Sequence, residues 1–171
     1  MIKTLIALTI LITCSSASAD RNPELLARAK ALHERILTID AHVDIEIPGQ
    51  PSRSAGPDGL SKVAPEKMRA GGLDAAVMSI AVGPKPRTIA GYAEARAIAQ
   101  RELGAMTDLV AEPANQTVLT KTPKALLAAH EVGQRGVILG LQNALIFGTE
   151  VNAIDDFYAA GVRVFALTHM G

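Results

Sequence analysis

Four short apolar runs alternate along this chain with stretches of helical periodicity, and that alternation fixes most of what it can fold into. The runs are residues 36–40, 73–82, 136–141 and 162–168. Each has the length of a strand and is apolar at consecutive positions rather than at every second one, the pattern of strands covered on both faces. Between the runs, apolar residues recur at spacings of three and four. Residues 22–36 carry Leu25, Leu26, Ala29, Leu32 and Ile36, and residues 92–110 carry Tyr92, Ala95, Ala99, Leu103, Met106 and Val110. Thr122-Pro123 reads as an N-cap followed by proline at the first helical position, with Gly133 closing that helix. A short helix is expected over residues 153–160, stopped by Gly161. Residues 48–61, rich in Pro, Gly and Ser, read as a long loop, and Gly71-Gly72 as a break before the second strand. Strands alternating with helices predict a parallel sheet covered by helices. Four such units make either a small open α/β sheet or part of a (β/α)8 barrel, which in full takes roughly 250 residues.

Composition narrows the function classes. The 171 residues carry 17 Lys and Arg against 17 Asp and Glu, so no basic excess is available to neutralise nucleic-acid phosphates. With no Trp, 2 Tyr and 3 Phe, surfaces for stacking bases or sugars are scarce. Residues 1–19 read as an export signal: Lys3 gives a positive start, residues 5–12 an apolar run far short of a membrane span, and Ala17-Ser18-Ala19 the small residues of a cleavage site. The expected organisation is therefore a signal peptide over 1–19 and a single domain over 20–171, exported to the periplasm or secreted. Lipidation at Cys14 is the alternative to cleavage after Ala19. Cleavage removes the single cysteine, so disulfides, zinc–thiolate sites and thiol nucleophiles are excluded from the mature chain.

Candidate chemistry gathers at the strand ends, where parallel α/β folds place their sites. His42 and Asp44 follow the first strand and stand two apart, so in extended chain both side chains point the same way. An imidazole and a carboxylate so placed suit one borderline cation such as Zn²⁺. Gln142-Asn143 follow the third strand and His169 the fourth. A His-x-Asp triplet is by itself equally compatible with a histidine hydrogen-bonded in a polar loop, and Gln142-Asn143 with loop capping. Their common position on one rim favours a site. His33 and His130 fall within helices, are expected to face solvent, and receive no role.

Residues 39–44 (Ile-Asp-Ala-His-Val-Asp), 68–75 (Met-Arg-Ala-Gly-Gly-Leu-Asp-Ala), 140–144 (Gly-Leu-Gln-Asn-Ala) and 167–169 (Leu-Thr-His) together resemble the membrane dipeptidases, the renal dipeptidase-like metallopeptidases. Their order and the spacing of 27 residues from Gln142 to His169 fit, and the resemblance spans essentially the whole mature chain. It implies a (β/α)8 TIM-type barrel, of which this chain covers about the first half, with two zinc ions at the C-terminal rim. It implies His42 and Asp44 as ligands of the first zinc, and Gln142 at the place where the family usually carries a glutamate bridging both ions. It implies His169 as the catalytic histidine that contacts the dipeptide substrate and stabilises the tetrahedral intermediate. Homodimers are common in such a family.

Two departures shape the expectation. The family's second zinc is held by histidines from later strands, which this chain does not carry. Gln142 is also neutral, whereas a bridging carboxylate offsets repulsion between two dications about 3.5–4 Å apart. The chain by itself is accordingly expected to be an inactive half barrel with exposed sheet edges and poor solubility. The rival readings are a truncated pseudoenzyme or small exported α/β binding module without catalysis, and a barrel hydrolase acting on other amides or esters.

Overall fold

The computed structural model describes residues 22–45, 47 and 55–169. The signal segment at 1–19 and the first part of the 48–61 loop, residues 48–54, therefore lie outside the described residues. The elements run α1 (Pro23–His33), β1 (Ile39–Asp44), α2 (Pro65–Gly71), β2 (Ala75–Ala81), α3 (Ile89–Ala111), β3 (Thr117–Leu119), α4 (Pro123–Glu131), β4 (Arg135–Gln142), α5 (Ala153–Ala160) and β5 (Val162–Ala166). Two short 3₁₀ turns, Pro113–Asn115 and Ala144–Phe147, precede β3 and follow β4.

Local chemistry explains the helix ends. Asn22 accepts from the N–H groups of Glu24 and Leu25, Thr88 from Gly91, and Thr122 from Ala125, each satisfying donors that an α-helix leaves free at its start. At the end of α2, Gly72 adopts the left-handed conformation with φ of 68°, which lets its N–H reach back to the last turn. That helix was not legible in the sequence. It is one of two elements absent from the expectation, the other being the three-residue β3, too short to show any periodicity.

All pairings between the named strands are parallel. β2 pairs with β1 on one edge and with β4 on the other over its whole length, Ala75 opposite Gly136 through Ala81 opposite Gln142. The free edge of β4 is shared: β3 takes Arg135–Val137 and β5 takes Leu139–Gln142. The first strand is displaced from the expected 36–40. Its register skips between Asp40 and Val43, after which Val43 and Asp44 pair with Met78 and Ser79, so that His42 and Asp44 belong to the strand's end rather than to the loop beyond it.

Pleating divides the sheet into two faces. Ala76, Met78, Ile80, Val137, Leu139 and Leu141 point to one face and form the core with Met68 of α2, Ala95, Ala99 and Met106 of α3, and Phe157 of α5. The stripe expected on α3 is thus the buried one. On the opposite face α4 closes only the N-terminal end. There Leu126 meets Gly136, where an added Cβ would lie 2.6 Å from Leu126 Cδ1 and 3.2 Å from the Ala75 Cβ, so a larger residue would have to displace the Leu126 side chain. On this face Ile39, level with Ala75 at the start of β1, and Val164, nearer the rim, remain 45% and 41% exposed, a departure from strands buried on both sides. The apolar stripe of α1 is likewise open, with Leu25, Leu26 and Leu32 exposed. Among the described residues no helix is long and apolar enough to cross a membrane.

Candidate metal centre

β1 presents His42 and Asp44 at its C-terminal end. His42 Nε2 stands 3.7 Å from Asp44 Oδ1, and the two side chains are 47% and 55% exposed. The backbone N–H of His42 is held by the Asp40 carboxylate at 3.0 Å, which fixes the chain across the irregular step. Two ligands of a tetrahedral zinc, each about 2.0–2.1 Å from the ion, stand about 3.4 Å apart. The observed separation lies within a few tenths of an ångström of that value, and the donor pair, imidazole nitrogen and carboxylate oxygen, is of the type zinc takes. The pair fits a cation.

The sheet register places the other candidates. Asp44 lies opposite Ser79, which lies opposite Gly140, and Gln142 follows on the same face of β4, opposite Ala81. Gln142 therefore stands at the same rim as Asp44, one pleat further along. Beyond it Asn143 is buried and holds a positive φ of 89°. Its side-chain oxygen accepts from the Leu145 N–H at 3.1 Å, and its Nδ2 donates to the Val82 carbonyl at 2.9 Å. The capping reading of Asn143 is the one observed. His169 reaches the same carbonyl: its Nδ1 is 3.5 Å from Val82 O. The ends of β2, β4 and β5 thus converge at Val82, while His42 and Asp44 form a direct pair at the end of β1. Among the described residues no group of three or more His, Cys, Asp or Glu gathers for a metal ion. A cation at His42 and Asp44 takes further donors from neutral oxygen, from water or from outside the described residues.

One residue of the site escaped the sequence reading. Glu102 of α3 turns its carboxyl under the rim, and Oε2 accepts the Ala81 N–H at 2.6 Å. Burial pushes its pKa up to about 7, and the nearby charge of Asp44 adds to the rise, against the opposing pull of the Ala81 N–H and Arg101. The signal was present: Glu102 falls three residues after Ala99 and four before Met106, an acid within the apolar stripe of its helix.

His130 corrects the sequence reading. Its Nδ1 is buried and faces Asp74 Oδ1 at 3.2 Å, because α4 packs across the N-terminal end of the sheet instead of standing clear of it. Asp74 also accepts the backbone N–H and hydroxyl of Thr38 at 2.9 and 3.0 Å, and Arg135 stands at 3.4 Å. Burial raises the Asp74 pKa, but the hydrogen bonds from Thr38 and the facing His130 outweigh it and hold the carboxyl below its ordinary value. This cluster ties β1, β2, β4 and α4 at the end of the sheet opposite to the candidate metal centre. His33 is exposed as expected, its ring lying over Gly72.

A parallel sheet with helices packed against it and polar residues at the strands' C-terminal rim is the arrangement of a portion of an α/β barrel. The sequence profile of the membrane dipeptidases, peptidase family M19, matches residues 26–171, and the chain belongs to that family. No protein of curated function matches it. Among solved structures, the probable dipeptidase PvdM from Pseudomonas aeruginosa superposes with a TM-score of 0.73 at 25% identity, covering 86% of this chain and 38% of that one. An amidohydrolase from Pseudomonas aeruginosa gives 0.62 at 19% identity over 82% and 36% of the two chains. A metallopeptidase from Rhodobacter sphaeroides, liganded with a phosphinate mimic of L-Ala-D-Ala, gives 0.58 at 16% identity over 78% and 47%. The chain spans less than half the length of each. The fold is accordingly the TIM-type barrel of the M19 dipeptidases, carried here in part.

Proposed function

We propose that this chain is the amino-terminal part of the barrel of an exported, zinc-dependent dipeptidase. The observation that carries the reading is the His42–Asp44 pair, 3.7 Å apart and half exposed at the C-terminal rim, in a chain of this family. His42 and Asp44 hold the first metal ion, and Gln142 offers its amide oxygen from the neighbouring pleat. His169, steadied beside the Val82 carbonyl, hydrogen-bonds the carbonyl oxygen of the scissile bond as negative charge gathers there. Zinc, when bound, lowers the pKa of water and polarises the carbonyl, which is the chemistry that peptide hydrolysis needs. The substrate class is dipeptides, a proposal supported by the family and by the phosphinate dipeptide mimic on the Rhodobacter sphaeroides metallopeptidase.

Because Gln142 brings no charge, we assign one tight and one loose metal position. Ligands for the loose one come from outside the described residues, and residues 22–169 supply no hydrolysis by themselves. Export rests on Lys3, the apolar run at 5–12 and Ala17-Ser18-Ala19, and the intact mass of the secreted protein checks it.

The test is zinc titration together with dipeptide hydrolysis by the full-length gene product and its His42→Ala variant. One tight equivalent of zinc, lost along with hydrolysis in the variant, is expected. Unchanged zinc binding in His42→Ala would sink the reading.

A further inference from the structure

Where a parallel ladder stops is set by which backbone groups find partners, and β1 stops against β2 for a reason visible in the hydrogen bonds. Along β2 the N–H groups alternate between neighbours. Ala75 donates to Thr38 on the β1 side, and Val82, just beyond the strand, to Gln142 on the β4 side. Odd-numbered residues of β2 therefore face β1, and Ala81 is one of them. With Asp44 opposite Ser79, a ladder continued for one more step would bring the Ile45 carbonyl to the Ala81 N–H. Instead that donor is taken by Glu102 Oε2 at 2.6 Å, reaching in from α3. Ile45 leaves the sheet and is buried in the core on the helix side. The divergence falls immediately after Asp44, whose carboxylate then stands at the strand terminus beside His42.

We propose that Glu102 is the positioning residue of the candidate metal centre: by standing in for the Ile45 carbonyl on Ala81 it ends the β1–β2 ladder at Asp44 and fixes the orientation in which Asp44 and His42 face one cation. The inference rests on the metal-site reading above. A side chain that orients ligands from behind commonly accounts for about 10–100-fold in metal affinity, and the reach of this acceptor, rather than its charge, is what the geometry uses.

Four variants of the full chain decide it, each titrated with Co²⁺ through its visible absorption and with Zn²⁺ by competition. Glu102→Gln keeps an oxygen at the same reach and drops the charge. Glu102→Asp keeps the charge and falls short by one methylene, and Glu102→Met keeps the length with no acceptor, so either of these two suffices if the other does not fold. His42→Ala reports on the site itself. Expected is Glu102→Gln within about threefold of the wild type, with Glu102→Asp and Glu102→Met at least about tenfold weaker. Wild-type affinity in a folded Glu102→Asp or Glu102→Met, or a Glu102→Gln weakened as much as they are, overturns the role of Glu102 while His42→Ala still abolishes binding. Wild-type affinity in His42→Ala overturns the metal site, and the positioning role with it.

Discussion

Asn143 donates its side-chain amide to the backbone carbonyl of Val82 at 2.9 Å, joining the chain beyond β4 to the chain beyond β2 across 61 residues of sequence. Both groups are buried, so each would otherwise lose its water without compensation. The same side chain accepts from Leu145, and the backbone sits at a φ of 89° that most residues avoid. Asn143→Ala is expected to cost about 2–3 kcal/mol in urea denaturation, since it strands one carbonyl and one N–H. Asn143→Asp keeps the acceptor for Leu145 but opposes the Val82 carbonyl with an oxygen. It is expected to be no better than alanine at pH 7, and to recover near pH 3, where a protonated carboxyl again donates.

Asp74 accepts from Thr38 and faces both His130 and Arg135, and its removal leaves the Arg135 guanidinium without its carboxylate. Breaking a buried ionic cluster from one side costs roughly 3–5 kcal/mol, and Asp74→Ala is expected in that range by chemical denaturation. The pH dependence has a definite sign. The folded carboxyl titrates below its ordinary value of 3.8, so its contribution is present above that pH and is lost as pH falls through the lowered folded value. Wild type and Asp74→Ala should therefore converge in stability towards strongly acidic solution.

Glu102 works in the opposite direction. Its folded pKa of about 7 lies above the ordinary 4.5, so the fold prefers the protonated acid. The associated stability is complete below about pH 4.5 and is lost as pH rises through 7. In metal-free protein the loss is expected to be roughly 2–3 kcal/mol between pH 4 and pH 8. Glu102→Gln should flatten that profile. Equal slopes for the two proteins in thermal melts across this range would contradict the assignment.

Gly136 carries no positive φ, and what limits a larger residue there is space alone. Gly136→Val would drive two methyl groups towards Leu126 and Ala75, and overpacking of this kind costs roughly 1–3 kcal/mol. Pairing it with Leu126→Ala should return part of the loss. Double-mutant denaturation measures the coupling, and strict additivity would mean that α4 does not press on the sheet at this point.

Gln142→Glu supplies the charge that the rim lacks. Isothermal titration of the full-length protein with zinc is expected to change from one tight and one loose equivalent to two of closer affinity. An unchanged titration would place Gln142 outside the metal centre.

Residue order alone determined a large part of this protein. The alternation of apolar runs with periodic segments gave a parallel α/β sheet. Caps at Thr122 and Gly161 set the ends of α4 and α5, and the spaced motifs around His42, Gln142 and His169 pointed to the family that the profile match establishes. These are local signals: periods, caps and short motifs act within a few residues, so a linear reading captures them. What depended on partners far along the chain did not follow. β1 extends to Asp44 because Met78 and Ser79 are there to pair with it, and β3 exists because three residues of β4 have a free edge. His130 is engaged because α4 lies across the sheet's end, and Glu102 joins the rim because α3 packs against β2. Each of these turns on a backbone donor or a buried charge finding its partner across the fold, a requirement that burial makes compulsory and that only the tertiary structure can satisfy.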